Sequence, residues 1–134
     1  MSESQKHFEL VNQMREWVIK SFSVEKSLLK TDVIGDGTQK LPTGYKPDLF
    51  YNFNDLTIIG EAKTSFDIER PHSVEQYKSY MKYCSLRGKS SIFIVNVPWT
   101  DTFSIKKILK SIKNKNNYVF RIIILNDLEK VVEL

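Results

Sequence analysis

The chain has 134 residues, 41% hydrophobic and 27% charged, which leaves room for a single domain over 1–134 with ordinary globular composition. A net charge of +4 and a pI near 9.1 are compatible with a polyanionic partner without requiring one. No stretch approaches the roughly 18 consecutive apolar residues of a membrane span. The start MSESQKHFEL lacks a signal-peptide h-region, and the lone Cys84 excludes an internal disulfide; an intracellular, cytoplasmic protein away from membranes is expected.

In chain order, Phe8, Val11, Met14, Val18 and Phe22 recur at helical spacing and predict a helix over 4–21. Residues 27–34 read as a strand. The stretch 35–44 holds three of the five glycines and reads as a surface connection, or as a loop reaching toward a nucleic-acid groove. Residues 45–51 and 56–63 read as two strands joined by the polar turn Asn52-Phe53-Asn54-Asp55, hence an antiparallel hairpin. A helix over 73–87 follows the break at Pro71. The apolar run 90–97 reads as a buried central strand. A helix over 103–113 and a strand over 118–125 come next, and the tail 126–134 carries no decisive pattern. The order α-β-β-β-α-β-α-β predicts an α/β fold: a mixed sheet flanked by helices on both faces.

The hairpin carries the chemistry. With the turn centred near Phe53 and Asn54, Asp48 falls opposite Gly60 or Glu61. Strand alternation then turns Glu61 and Lys63 to one face and Ala62 to the other. Asp48 and Glu61 offer hard oxygen ligands for Mg²⁺ or Mn²⁺, with the Ala62 carbonyl as a further ligand. Lys63 would orient a water or offset charge on a phosphate under attack. The competing reading is a surface hairpin with ordinary charges.

At Pro47, Asp48, Glu61 and Lys63 the chain resembles the PD-(D/E)xK nuclease superfamily, the restriction-endonuclease-like fold, and Gln76 and Tyr80 fit the QxxxY motif of some of its branches. The resemblance implies a metal-dependent DNA nuclease, endo- or exonucleolytic, with Asp48 and Glu61 as metal ligands and Lys63 as catalytic lysine. It also implies an acid on the first helix. Glu9 is the favoured candidate, with His7, which faces the apolar stripe, as a substitute.

The second helix sets Gln76, Tyr80, Tyr83 and Arg87 on one stripe. Gln76 would bind a phosphate or hold Lys63, and Tyr80 would contact a backbone or stack on a base. Against this, Ser73-x-x-Gln76 is also a capping box. Arg70 and Arg87 are candidate phosphate contacts. Lys106, Lys107, Lys110 and Lys113 form a basic helix face, solvated by default. A chain this short has little surface for reading sequence, so structure-directed cleavage, a partner protein or a homodimer is expected to supply specificity. The alternative is a non-catalytic nucleic-acid-binding or scaffold module on the same fold.

Overall fold

The computed structural model describes residues 3–32 and 37–134. Helix α1 (Glu3–Ser21) is followed by a 3₁₀ turn (Lys26–Leu28) and a two-residue strand β1 (Lys30–Thr31). Then come β2 (Leu49–Phe53), β3 (Leu56–Ala62), α2 (Pro71–Arg87), β4 (Ser91–Val97), α3 (Thr102–Asn116), β5 (Arg121–Asn126) and β6 (Val131–Glu133). The six strands form one mixed sheet in sequential order: β1, β2 and β3 pair antiparallel, β3, β4 and β5 parallel, and β5 and β6 antiparallel. The expected α/β class and element order hold, and the undecided tail supplies the sixth strand.

Alternation along the strands divides the core in two. Ile58, Ile92, Ile94, Ile123 and Leu125 pack on one face against Met14 and Val18 of α1. Ile59, Phe93, Val95, Ile122 and Ile124 pack on the other against Tyr77, Tyr80 and Met81 of α2 and Ile105 and Leu109 of α3. Both faces of the central strands are covered, which is why β4 reads as an unbroken apolar run.

Several boundaries differ from the expectation. The strand expected over 27–34 shrinks to Lys30–Thr31, because the 3₁₀ turn takes its first part; Val33 and Ile34 lie outside the described residues, as do Gly35 and Asp36 of the loop. The hairpin turn centres on Asn54-Asp55, both with positive φ (54° and 65°), one residue later than the sequence suggests. That is the conformation of a two-residue type I′ turn, which Asn and Asp tolerate better than most residues. Leu49 therefore pairs with Gly60. Pro71 begins α2 rather than breaking before it, since its missing N–H costs nothing at the first helical position.

Gly60 decides how closely α1 approaches. A Cβ there would lie 2.8 Å from the Met14 sulfur and 3.0 Å from Leu49 Cβ, so the bare backbone is what lets Met14 lie against the hairpin. That seats α1 across β3 and brings its first turns to the end of the strand where the charged residues lie.

Candidate active site

The site lies at the carboxyl ends of the parallel strands β3 and β4, a common position for ligand sites in α/β sheets. Leu49 pairs with Gly60, so Asp48 stands beside Glu61. The Asp48 N–H donates to the Gly60 carbonyl at 3.1 Å and approaches Glu61 Oε1 at 3.3 Å. Asp48 Oδ2 accepts the Ala62 N–H at 2.9 Å and lies 3.1 Å from His7 Nε2. Glu61 Oε2 sits 3.3 Å from Lys63 Nζ. The Lys63 ammonium also donates a short hydrogen bond to Gln76 Oε1, while its backbone N–H donates to the Asn96 carbonyl at 3.1 Å. Asp48, Glu61, Lys63 and Gln76 thus form one connected group drawn from β2, β3 and α2.

Burial gives this group its electrostatics. Glu61 is only 3% exposed, Asp48 and Lys63 8% each. Desolvation, reinforced by the neighbouring Asp48 carboxylate, pushes the Glu61 carboxyl well above the usual carboxylate range; the Lys63 ammonium works against the shift without cancelling it. The hydrogen bond to Asp48 raises the His7 imidazolium above its ordinary range, against partial desolvation. Two acids held together out of water disfavour ionisation of Glu61 even beside Lys63, and a bound cation would relieve that cost. The donor set suits a hard divalent ion: Asp48 and Glu61 would hold it, with the Ala62 carbonyl as a possible third oxygen. Among the described residues no three His, Cys, Asp or Glu side chains are grouped for a metal, so the carboxylate pair is the whole acidic contribution.

Ala62 itself turns to the opposite face, packing on Leu10 and Val11 of α1. Gln76 is not part of a capping box. The N-cap of α2 is Arg70, which places Ser73 inside the first turn and leaves the Gln76 amide for Lys63.

Four candidates are placed differently from the expectation. Glu9 is exposed on α1 and does not enter the site; His7, two residues earlier, does, because 100° per residue turns the two side chains to different sides of the helix. Tyr80 is fully buried, so it cannot stack on a base or touch a phosphate; its hydroxyl donates to the Lys46 carbonyl at 3.1 Å. Burial and the adjacent Glu61 push that phenol far up, so it remains a donor beneath the acids. Arg87 lies at the far end of α2, where its guanidinium donates to the Asn52 side chain at 3.2 Å. Eleven residues of helix, about 16 Å, separate it from Gln76. Arg70 is exposed at the start of α2 and pairs with Asp67 at 3.1 Å; it lies beyond the contacts of the acid group. The described part of the 35–44 loop is fastened to α2, with Thr43 Oγ1 donating to the Ser79 carbonyl, and Thr38 donates a short hydrogen bond to the Pro47 carbonyl just before Asp48.

Asn96 has a structural part that the sequence left hidden. It pairs with Ala62 at the end of β4, is fully buried, and donates from Nδ2 to the Leu10 carbonyl and Gln13 Oε1, fastening α1 to the sheet behind the acids. The one available signal was an amide interrupting the apolar run SIFIVNV. Cys84 is inert by burial, which pushes its thiol up to about 12. No helix among the described residues is long and apolar enough to cross a membrane. Comparison of the chain with protein-family models, with curated proteins and with solved structures found no match.

Proposed function

We propose that the protein is a metal-dependent nuclease of the PD-(D/E)xK kind on a restriction-endonuclease-like core, acting on DNA with Mg²⁺ or Mn²⁺. The observation that carries this reading is the convergence of Asp48, Glu61 and Lys63, all nearly buried, with Gln76 fixing the lysine. A surface hairpin would leave these charges in water. Burying two acids and an ammonium is costly, and groups perturbed in this way cluster at functional sites.

A bound divalent ion would polarise the scissile phosphate and favour ionisation of an attacking water. The chain supplies the rest. Asp48 and Glu61 would hold the cation, and the Ala62 N–H and the Gly60 carbonyl fix Asp48 in place. Lys63, tethered by Gln76, presents an ammonium to the water or to the charge growing on phosphorus. His7 holds Asp48 Oδ2 from the α1 side. Tyr80 and Asn96 are positioning residues, the first anchoring the segment before Asp48, the second anchoring α1.

The test is incubation with single-stranded, duplex, flapped and branched DNA in Mg²⁺, Mn²⁺ or EDTA. The parent should cleave only with metal, and Asp48→Ala and Lys63→Ala should lose most of that cleavage. A readout independent of turnover is the shift in melting temperature with Mn²⁺, expected in the parent and absent in the double variant Asp48→Asn, Glu61→Gln. Binding without cleavage under every metal would favour a non-catalytic nucleic-acid module instead. A partner protein or a second copy of the chain remains the expected source of specificity.

A further inference from the structure

Helices α2 and α3 follow the parallel strands β3 and β4, so both begin at the edge that carries the acids. Between them runs a groove of 740 Å³. Lys78 and Lys82 on α2 and Lys107 and Lys115 on α3 bank it; Val74, Ile108 and Ile112 form its apolar floor; no acidic residue lines it. One turn nearer the edge, a second hollow of 370 Å³ is lined by Phe66, Arg70 and Ser104, with Glu69 and with Asp101, which the Ser65 hydroxyl binds. Arg70 precedes Val74, and Ser104 precedes Ile108, by four residues, about one helical turn, which is the spacing of successive hollows along the same two helices. Joined, they would make a trough leading along the helices from the edge where Lys63 lies.

Two exposed rings stand toward the starts of the helices. Phe66, three residues after Lys63, is 83% exposed, and Phe103 at the start of α3 is 72% exposed with the Lys107 ammonium 5.5 Å from its ring centre. Aromatic rings this open, next to a cationic channel with an apolar floor, are what bases and phosphates of an unpaired strand bind together. A duplex fits poorly. Its bases already stack on each other, and two packed helices sit only about 8–10 Å apart.

We propose that this trough is a binding path for single-stranded nucleic acid, with bases stacked on Phe66 and Phe103 and phosphates running between the lysines of α2 and α3. Strand binding stands independently of the nuclease reading; that the strand is delivered to the acids for cleavage rests on it.

The experiment is fluorescence anisotropy with a labelled oligothymidylate of about 15 nucleotides against a duplex of equal length, in EDTA. The single strand should bind at least about tenfold more tightly. Phe66→Ala with Phe103→Ala should weaken strand binding about tenfold or more and leave duplex binding unchanged. Lys82→Gln with Lys115→Gln should reduce the slope of log affinity against log salt by about 0.7 per lysine. All four side chains are exposed, and an unchanged melting temperature checks that the variants fold. Equal affinity for strand and duplex, or strand binding indifferent to both variant pairs, would overturn the proposal. So would an acidic amphipathic peptide that occupies the lysine groove while the oligothymidylate does not bind. Cleavage assays on the same proteins separate the two readings: metal-dependent cleavage with no strand preference removes the trough, and strand preference with no metal-dependent cleavage removes the nuclease and leaves the trough.

Discussion

The two ends of the β2–β3 hairpin are built from the same alternation and treat charge in opposite ways. At the turn end, Asn54 and Asp55 close a tight loop, Thr57 donates to the Asn52 side chain at 3.1 Å, and Arg87 reaches Asn52 from α2 at the surface. No two charged side chains are pressed together there out of water. At the other end, α1, α2 and β4 cover the strand, and Asp48, Glu61 and Lys63 lie in the interior against one another. Charged side chains such as Asp55 and Arg87 are solvated at one end, whereas Asp48, Glu61 and Lys63 form a desolvated cluster at the other. What differs is the packing around them, and only the buried end has electrostatic tension available for chemistry.

The largest expected effect breaks that contrast at the buried end. Lys63→Ala should lower metal-dependent cleavage by about 10²–10³-fold or more, the scale of losing one charged stabiliser of a transition state, while leaving the circular dichroism spectrum unchanged. Gln76→Ala, which frees the ammonium without removing it, should give a smaller loss in the same assay.

Packing beneath the site is the next lever. Gly60→Ala forces its new methyl against Met14 and Leu49 and should cost about 1–3 kcal/mol by urea denaturation. Combined with Met14→Ala, it should cost less than the sum of the two single losses, because the clash is with the flexible end of that side chain.

A third test sharpens the contrast through pH. Glu61 has a raised pKa in the folded state, so the folded protein holds a proton that the unfolded chain releases near the ordinary value of 4.5. Without metal, its contribution to stability is therefore present below that value and is lost as pH rises from there toward the folded-state pKa. Melting temperature measured in EDTA should fall through that window in the parent. Glu61→Gln should flatten this dependence and raise the melting temperature at neutral pH. Adding Mn²⁺ should stabilise the parent most where Glu61 must otherwise ionise alone.

The smallest effect belongs to the open end. Arg87→Ala removes one exposed hydrogen bond and should change stability by no more than about 0.5 kcal/mol, with no change in cleavage, in parallel denaturation and activity assays.

Much of the site could be read before any coordinates. The apolar run ending at Glu61 marks a strand, the polar turn Asn52-Phe53-Asn54-Asp55 limits the register to two choices, and alternation pairs Glu61 with Lys63 and sends Ala62 the other way. Less of the surrounding shell was legible. Glu9 and His7 both stand on the first helix two residues apart, and which of them meets Asp48 depends on where Met14 seats that helix over Gly60. Gln76 had two readings, a hold on Lys63 or a capping box with Ser73, and the start of the helix at Pro71 removes the second by moving Ser73 off the N-cap. Tyr80 and Arg87 share a helical stripe with Gln76, yet one is roofed over by the sheet and the other sits three turns away.

Local sequence thus determined most of the strands, their faces and the placing of the charged residues along the hairpin, because backbone alternation and turn geometry act over a few residues. Tertiary structure alone decided which of those charges are withdrawn from water and which partners hold them. Desolvation is set by elements distant along the chain, here α1 and α2 closing over the ends of β2 and β3.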